Sequence, residues 1–138
     1  MGQSAIFETR GNNDAHVILR GGKTGPNYDA AAVEDCCKVL RTAGLREQVM
    51  VDCSHANSGK SHARQVDVGR DVAHQLSSGE RRIIGVMIES HLEKGRQDLK
   101  PGVPLQHGVS ITDACLGWSQ TELLLEELAA AVRARRGC

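Results

Sequence analysis

The chain has 138 residues, enough for one modest core, and its 17 basic and 17 acidic side chains balance. A balanced charge disfavours nucleic-acid binding, and no apolar run approaches the roughly 20 residues of a membrane span. No signal-peptide pattern is present. The five cysteines form neither a CxxC pair nor a disulfide ladder. We therefore expect free thiols, a cytoplasmic location and no membrane or nucleic-acid partner.

The first half of the chain alternates strand-like and helix-like segments. Residues 1–15 contain a short apolar stretch and a Gly-Asn-Asn turn, which predicts a β-hairpin. The apolar run 16–22 predicts a strand. Asp29 is a suitable N-cap for a helix over 30–43, and Gly44 is a suitable end for it.

The same alternation continues to the end of the chain. A strand is predicted over 48–53, a helix over 61–77 and a third strand over 82–89. The stretch 94–108 contains glycine and proline and indicates a functional loop. The last helix is predicted to begin at Ser119, because Glu122 three residues later completes a capping box. A hairpin followed by three βα units predicts an α/β fold with a parallel sheet.

Polar residues follow each of these apolar runs. Arg20, His55 and Glu89 come at the ends of the three predicted strands, and a shorter strand-like segment, 109–115, contains Asp113. The carboxyl ends of parallel strands meet at one edge of a sheet, where such folds place their chemistry. We therefore expect these four side chains to face a common rim.

Each residue also has a simpler interpretation. Arg20 with Gly21 and Gly22 suits an anion, since arginine matches phosphate and glycines expose backbone N–H groups, but it also suits a plain turn. His55 is a candidate metal ligand or proton carrier, and a lone histidine here is also often structural. Cys53 could pair with His55, although a buried, inert thiol is favoured.

The segment Gly59-Lys60-Ser61 resembles the end of a phosphate-binding loop, but Ser54 replaces the required first glycine. A nucleotide-binding loop is therefore disfavoured.

A mixed nitrogen and oxygen ligand set follows if three of these residues meet. Imidazole from His55 with carboxylates from Glu89 and Asp113 suits Mn²⁺, Fe²⁺, Co²⁺ or Zn²⁺. The simpler alternatives are a solvated cap residue at Glu89 and a local turn at Asp113.

Several longer strings resemble the C-terminal part of class I 3-deoxy-D-arabino-heptulosonate 7-phosphate (DAHP) synthase, namely HVILRGGK, QVMVDCSHANSGK, IIGVMIESHLEKGRQ and GVSITDACLGW. The resemblance covers essentially all of residues 1–138. It implies that residues 1–138 form one C-terminal portion of a (β/α)8 TIM barrel. In this portion the short hairpin precedes the last three βα units, over 16–138, so the barrel would be incomplete.

The resemblance also implies an activity, a divalent metal and a homo-oligomer. Members condense phosphoenolpyruvate with erythrose 4-phosphate and release phosphate, the first step of the shikimate pathway to aromatic amino acids. Carried over by position, Arg20 would bind the phosphate of phosphoenolpyruvate. His55, Glu89 and Asp113 would hold the metal, with His55 near that phosphate and Asp113 near the sugar phosphate.

Several parts of the family's apparatus have no counterpart here. The cysteine ligand, the Lys-Pro-Arg-Thr motif for the sugar phosphate, and further arginine and lysine groups belong to the N-terminal half of the barrel. We therefore expect the isolated chain to be inactive and to need a partner half. The alternatives are a non-catalytic fragment that binds metal or anions, and a metal-dependent hydrolase, which would need a separate water-activating base that the sequence does not provide.

Overall fold

The computed structural model of the protein describes residues 4–137. Three strands form one parallel sheet in the order β1-β2-β3: β1 (Val17–Leu19), β2 (Val49–Asp52) and β3 (Ile83–Met87). Each strand is followed in the chain by a helix: α1 (Ala30–Thr42), α2 (Arg64–Ser77) and α3 (Trp118–Arg136). The predicted α/β class, with parallel strands alternating with helices, is confirmed. None of the helices in residues 4–137 combines the length and apolar character that crossing a bilayer requires.

The core is an aliphatic layer between the sheet and the helices. Its most deeply buried members come from β2 and the residue after it, β3, all three helices and the segment before α3: Val33, Cys37, Val49, Val51, Cys53, Val68, Val72, Ile83, Leu116 and Leu124. Helix α2 packs closely on α3 at Gly69, where an added Cβ would lie 2.9 Å from the Leu124 methyl carbons. The core is aliphatic because the sequence has only one Phe, one Tyr and one Trp.

The predicted ends of α1 are confirmed. The Asp29 carboxylate accepts a hydrogen bond from the Ala32 N–H at 2.8 Å and so caps the helix. At the other end Gly44 adopts φ +68°, and the Leu45 N–H donates to the Leu40 carbonyl at 2.9 Å. This left-handed ending explains why glycine stands at position 44.

The hairpin predicted for residues 1–15 does not form over residues 4–15, and residues 1–3 lie outside the described part. A single turn is present, in which the Asp14 N–H donates to Asn12 Oδ1 at 2.9 Å. Ile6 and Phe7 are 101% and 87% exposed. The prediction was wrong here because a two-stranded ribbon is marginal unless one face packs against another layer.

Helix α3 begins one residue before the predicted start. Gly117 is the N-cap and makes no side-chain capping bond, so the predicted box of Ser119 and Glu122 is wrong. The Trp118 N–H donates to the Leu92 carbonyl at 3.2 Å, and a Cβ on Gly117 would lie 3.2 Å from the Lys94 nitrogen. These contacts with the preceding loop fix where the helix starts.

The segment 109–115 does not form a fourth strand. It makes isolated bridges with the loop that follows β3, Ser110 with Arg96 and Cys115 with Gly95. The Gln97 side chain holds this loop, donating to the Gln106 and Val109 carbonyls at 2.8 and 2.9 Å. A strand needs a partner along its whole length, and the neighbouring loop offers only single contacts.

Replacement of Gly21 by alanine tests the contact between the ends of β1 and β2. Gly21 has φ +74°, and an added Cβ would lie 2.7 Å from the Ala56 Cβ and 2.9 Å from the Asn57 nitrogen. We expect Gly21→Ala to lower the free energy of unfolding by about 2 kcal/mol or more in urea titrations. Gly44→Ala is the matched control, since Gly44 is also left-handed but has nothing within 4 Å of an added Cβ. Equal losses for the two variants would contradict the close approach.

Candidate metal centre

A cleft of about 430 Å³ opens at the carboxyl ends of the three strands. Its polar lining consists of Arg20, Ser54, His55, Lys60, Glu89 and Asp113. The four residues predicted to face one rim are therefore brought together. Arg20, His55 and Glu89 converge because each follows a parallel strand at the same edge of the sheet. Asp113 reaches the cleft from the segment that is bridged to the loop after β3.

Three of these side chains are close enough to share one ion. His55, Glu89 and Asp113 each offer a ligand atom, and these atoms all lie within 4.8 Å of one another. His55 Nε2 is 3.7 Å from Glu89 Oε1. Ligand bonds of about 2.0–2.2 Å to a transition metal separate neighbouring ligand atoms by roughly 3–4 Å. The set therefore fits one divalent ion with little rearrangement.

The orientation of His55 is fixed by Asp52. Asp52 is 2% exposed, and its Oδ2 lies 2.7 Å from His55 Nδ1, while its Oδ1 accepts the Ser54 N–H at 2.8 Å. A carboxylate at this distance favours the tautomer in which Nδ1 carries the proton. Nε2 is then left as the acceptor, which is the arrangement found at metal-ligating histidines.

Glu89 is held by its side chain and by its backbone. The Ser54 hydroxyl donates to Glu89 Oε2 at 2.5 Å. The buried Gln65 amide accepts the Glu89 N–H at 2.8 Å and donates to the Glu89 carbonyl at 3.2 Å. The hydrogen bond from Ser54 thus occupies Oε2 of Glu89, and Oε1, which lies nearer His55, remains available as a metal ligand.

Asn57 holds the loop that carries His55 against the sheet. Its Nδ2 donates to the carbonyls of Leu19 and Asp52, at 3.0 and 2.8 Å, and its Oδ1 accepts the Asn27 N–H at 2.8 Å. The ends of β1 and β2 are therefore joined through one buried amide. The Asn27 side chain in turn accepts the Gly21 N–H at 2.6 Å.

The cleft also has a cationic side. The Arg20 side chain is 59% exposed, and its Nε lies 4.0 Å from Asp52 Oδ2. Lys60 lines the same cleft and is exposed. Arginine presents several N–H donors in a planar fork, so an anion in the cleft would find donors beside the three candidate ligands.

Cys53 is not part of this group. It is fully buried, and burial raises the pKa of its thiol to about 12, with the nearby Asp52 charge acting in the same direction. The thiol is therefore neutral near pH 7, and a metal would need the thiolate. The structure supports the interpretation of Cys53 as a buried, inert thiol.

Sequence reasoning missed several residues that shape the site. The role of Asp52 could have been predicted, since a carboxylate at a strand end three residues before a histidine can orient that histidine. Lys60 was considered only as part of a nucleotide-binding loop. The role of Gln65 could not be predicted from the sequence, because it depends on a contact with Glu89, which lies 24 positions further along the chain.

The fold and the cleft define a class: a parallel α/β protein with a histidine-carboxylate group and cationic side chains at the carboxyl ends of its strands. The model of the DAHP synthetase I family matches residues 1–126. The chain belongs to this family, which confirms the resemblance drawn from the sequence.

Relatives from bacteria and yeast agree with this assignment. The chain is 57% identical over 136 residues to the Phe-sensitive phospho-2-dehydro-3-deoxyheptonate aldolase of Escherichia coli K12, covering 99% of the chain and 39% of that protein. It is 54% identical over 139 residues to the tyrosine-inhibited enzyme of Schizosaccharomyces pombe, covering 98% and 37%.

A solved structure shows the same fold. The phospho-2-dehydro-3-deoxyheptonate aldolase of Francisella tularensis SCHU S4 superposes with a TM-score of 0.90 at 47% identity, over 98% of this chain and 39% of that one. The chain therefore spans about two fifths of the length of the relatives it matches.

Replacement of Asp52 by asparagine tests how His55 is oriented. An asparagine amide can donate to Nδ1 and so favours the wrong tautomer, which we expect to weaken Mn²⁺ binding about 10- to 100-fold in calorimetric titrations. Asp35→Asn, at an exposed position on α1, is the control and should bind as the unmodified chain does. Unchanged affinity in a folded Asp52→Asn variant would show that the Asp52 to His55 bond plays no part in metal binding.

Alkylation of the thiols tests the environment of Cys53. With a pKa of about 12, only about one thiol in ten thousand is ionised near pH 8. We expect iodoacetamide to leave Cys53 unmodified in the folded chain and to modify it after unfolding in guanidinium, as measured by peptide mass spectrometry. The half-buried Cys115 serves as an internal control and should react before Cys53. Rapid modification of Cys53 in the folded chain would contradict its burial.

Proposed function

We propose that this chain is the metal-bearing portion of a DAHP synthase, acting in the condensation of phosphoenolpyruvate with erythrose 4-phosphate. The observation that carries the proposal is the meeting of His55, Glu89 and Asp113 within 4.8 Å beside Arg20. Family membership and relatives named as phospho-2-dehydro-3-deoxyheptonate aldolases support it.

The donor set suits a first-row divalent ion, Mn²⁺, Fe²⁺, Co²⁺ or Zn²⁺. When bound, such an ion supplies Lewis-acid polarisation of a carbonyl oxygen. His55 contributes Nε2 because Asp52 occupies Nδ1, and Glu89 contributes Oε1 because Ser54 occupies the other oxygen. Asp113 completes the three ligands of this portion.

The roles of this chain's residues toward substrate follow from charge. Arg20 binds the phosphate of phosphoenolpyruvate, since its exposed guanidinium lies at the rim of the cleft. Holding that phosphate fixes one substrate against the metal group, which lowers the entropic part of the barrier. By the family resemblance, the exposed Asp113 would lie near the phosphate of erythrose 4-phosphate.

We propose further that the fold is an incomplete (β/α)8 barrel, completed by an N-terminal half on a preceding segment or a separate chain. A barrel of this kind needs eight strands, and the described sheet has three. The sheet face turned away from the helices carries Ile18, 49% exposed, and Ile84 is 48% exposed. A closing half would cover these side chains and pair the open edges of β1 and β3. Homo-oligomer formation, implied by the family, stays a prediction.

The isolated chain lacks groups that the reaction requires. The cysteine ligand and the Lys-Pro-Arg-Thr motif of the family are absent from its sequence. Loss of one preorganised charge-stabilising group costs roughly a hundredfold in rate, and groups that act together are not additive. The absence of these groups also favours a second candidate function, that of a fragment that binds metal or anions without catalysis. The hydrolase alternative lacks a base, because Glu89 and Asp113 serve as ligands and Asp52 is bonded to His55.

Calorimetry with Mn²⁺ tests the metal site in the chain as it stands. We expect weak binding, because a thiolate ligand is missing, and its loss in the double variant His55→Ala, Glu89→Ala. The matched control is His107→Ala, Glu126→Ala, which removes the same two side-chain types from exposed positions. Binding that survives the first double variant would reject the assigned ligands.

Phosphate release dependent on both substrates tests the activity. We expect none from the chain alone, and restored release when the N-terminal half of the Escherichia coli Phe-sensitive relative is added. Turnover by the chain alone that disappears in Arg20→Ala would show that the short chain is a complete enzyme. Metal binding without turnover in the mixture would favour the non-catalytic fragment.

A further inference from the structure

Two residues at the cleft have a backbone conformation that side chains rarely adopt. Among residues 4–137, His55 at φ +47° and Lys60 at φ +62° are the non-glycine residues with positive φ, and both line the cleft. This conformation costs free energy and persists where the surroundings hold it, often at functional sites. The conformation of His55 is explained by its place in the site, since it is a candidate metal ligand bonded to Asp52.

The same turn produces the conformation of Lys60. The Lys60 N–H donates to the His55 carbonyl at 2.8 Å, which closes a loop whose two ends are both left-handed. A glycine at position 60 would close this loop without strain, as Gly59 with φ +60° does beside it. A lysine in this place keeps the strain and adds a charge to the rim.

The charge of Lys60 is not used within the described protein. Among residues 4–137 its ammonium has no hydrogen-bond or ion-pair partner, whereas Arg20 lies 4.0 Å from the buried Asp52 carboxylate. Two carboxylates, Glu89 and Asp113, line the cleft, and a third, the buried Asp52, lies behind His55. A divalent ion and Arg20 only balance these charges, so Lys60 supplies the excess positive charge that attracts an anion.

We propose that Lys60 is a substrate-binding residue that, with Arg20, holds the phosphate-bearing substrate beside the metal group. The proposal rests on the proposed function and adds a residue to it. The turn places His55 and Lys60 on one cleft, so one rigid loop supplies both a metal ligand and an anion-binding group.

Calorimetric titration of the 138-residue chain with phosphoenolpyruvate in the presence of Mn²⁺ tests this role. We expect Lys60→Met to weaken binding about tenfold, with Lys60→Arg largely restoring it and with Mn²⁺ affinity unchanged. Lys100→Met, at an exposed loop position, is the control and should bind as the unmodified chain does. The effect of Lys60 should shrink as salt is added.

A second variant separates substrate binding from backbone strain. Lys60→Gly should weaken phosphoenolpyruvate binding as Lys60→Met does, yet raise the melting temperature above that of the unmodified chain. Unchanged phosphoenolpyruvate binding in either variant, no binding by the unmodified chain, or a lower melting temperature for Lys60→Gly would overturn the proposal. If Mn²⁺ fails to bind but phosphoenolpyruvate binding without metal still depends on Lys60, the metal site of the proposed function fails, whereas the anion-binding role of Lys60 is supported.

Discussion

The arrangement of the site depends on one buried amide, that of Asn57. It bonds at once to the last carbonyls of β1 and β2 and to the Asn27 N–H. The start of the loop from Ser54 to Lys60 is bonded to Asp52 and Glu89, whereas Asn57 bonds its middle to both β1 and β2. A buried amide with all these partners is rigid, and leaving any of them unpaired would be costly. Together with the bond from Asp52 to His55, this link sets the position of the loop that carries His55 and Lys60.

The two ends of the sheet use charge in opposite ways. At the amino end, Arg82 donates to Glu80 and Glu34 at 2.6 and 2.5 Å, and its hydrogen bonds hold the pKa of the Glu80 carboxyl below its ordinary value. There each charge has its partner, and the cluster secures the start of β3. At the carboxyl end, Arg20 is 4.0 Å from its nearest carboxylate and largely exposed. Because Arg20 has no close partner and lies beside the candidate ligands, it can bind an anion from solution. The proposed substrate site is therefore at the carboxyl end of the sheet.

The predictable parts of the fold and site are those that a short stretch of sequence determines. The Asp29 cap and the Gly44 ending depend on their own helix, and the ends of three parallel strands placed Arg20, His55 and Glu89 on one rim. The failures needed a distant partner. A hairpin over 1–15 and a strand over 109–115 both require a neighbouring layer or strand that residues 4–137 do not supply. The clamp of Gln65 on Glu89 could not be predicted either, because no local pattern marks a buried glutamine as a site residue.

The three candidate ligands are not equally well held, and the difference points to what a completing half would do. Asp52 fixes His55, and Ser54 and Gln65 fix Glu89, so both ligands are set by bonds within the chain. Asp113 is exposed and lies in a segment held by isolated bridges. That segment follows β3, whose open edge has no strand beside it in the described sheet. Pairing along that edge would hold the segment of Asp113 more firmly beside the other two candidate ligands. We therefore expect closure of the proposed barrel to strengthen metal binding through Asp113.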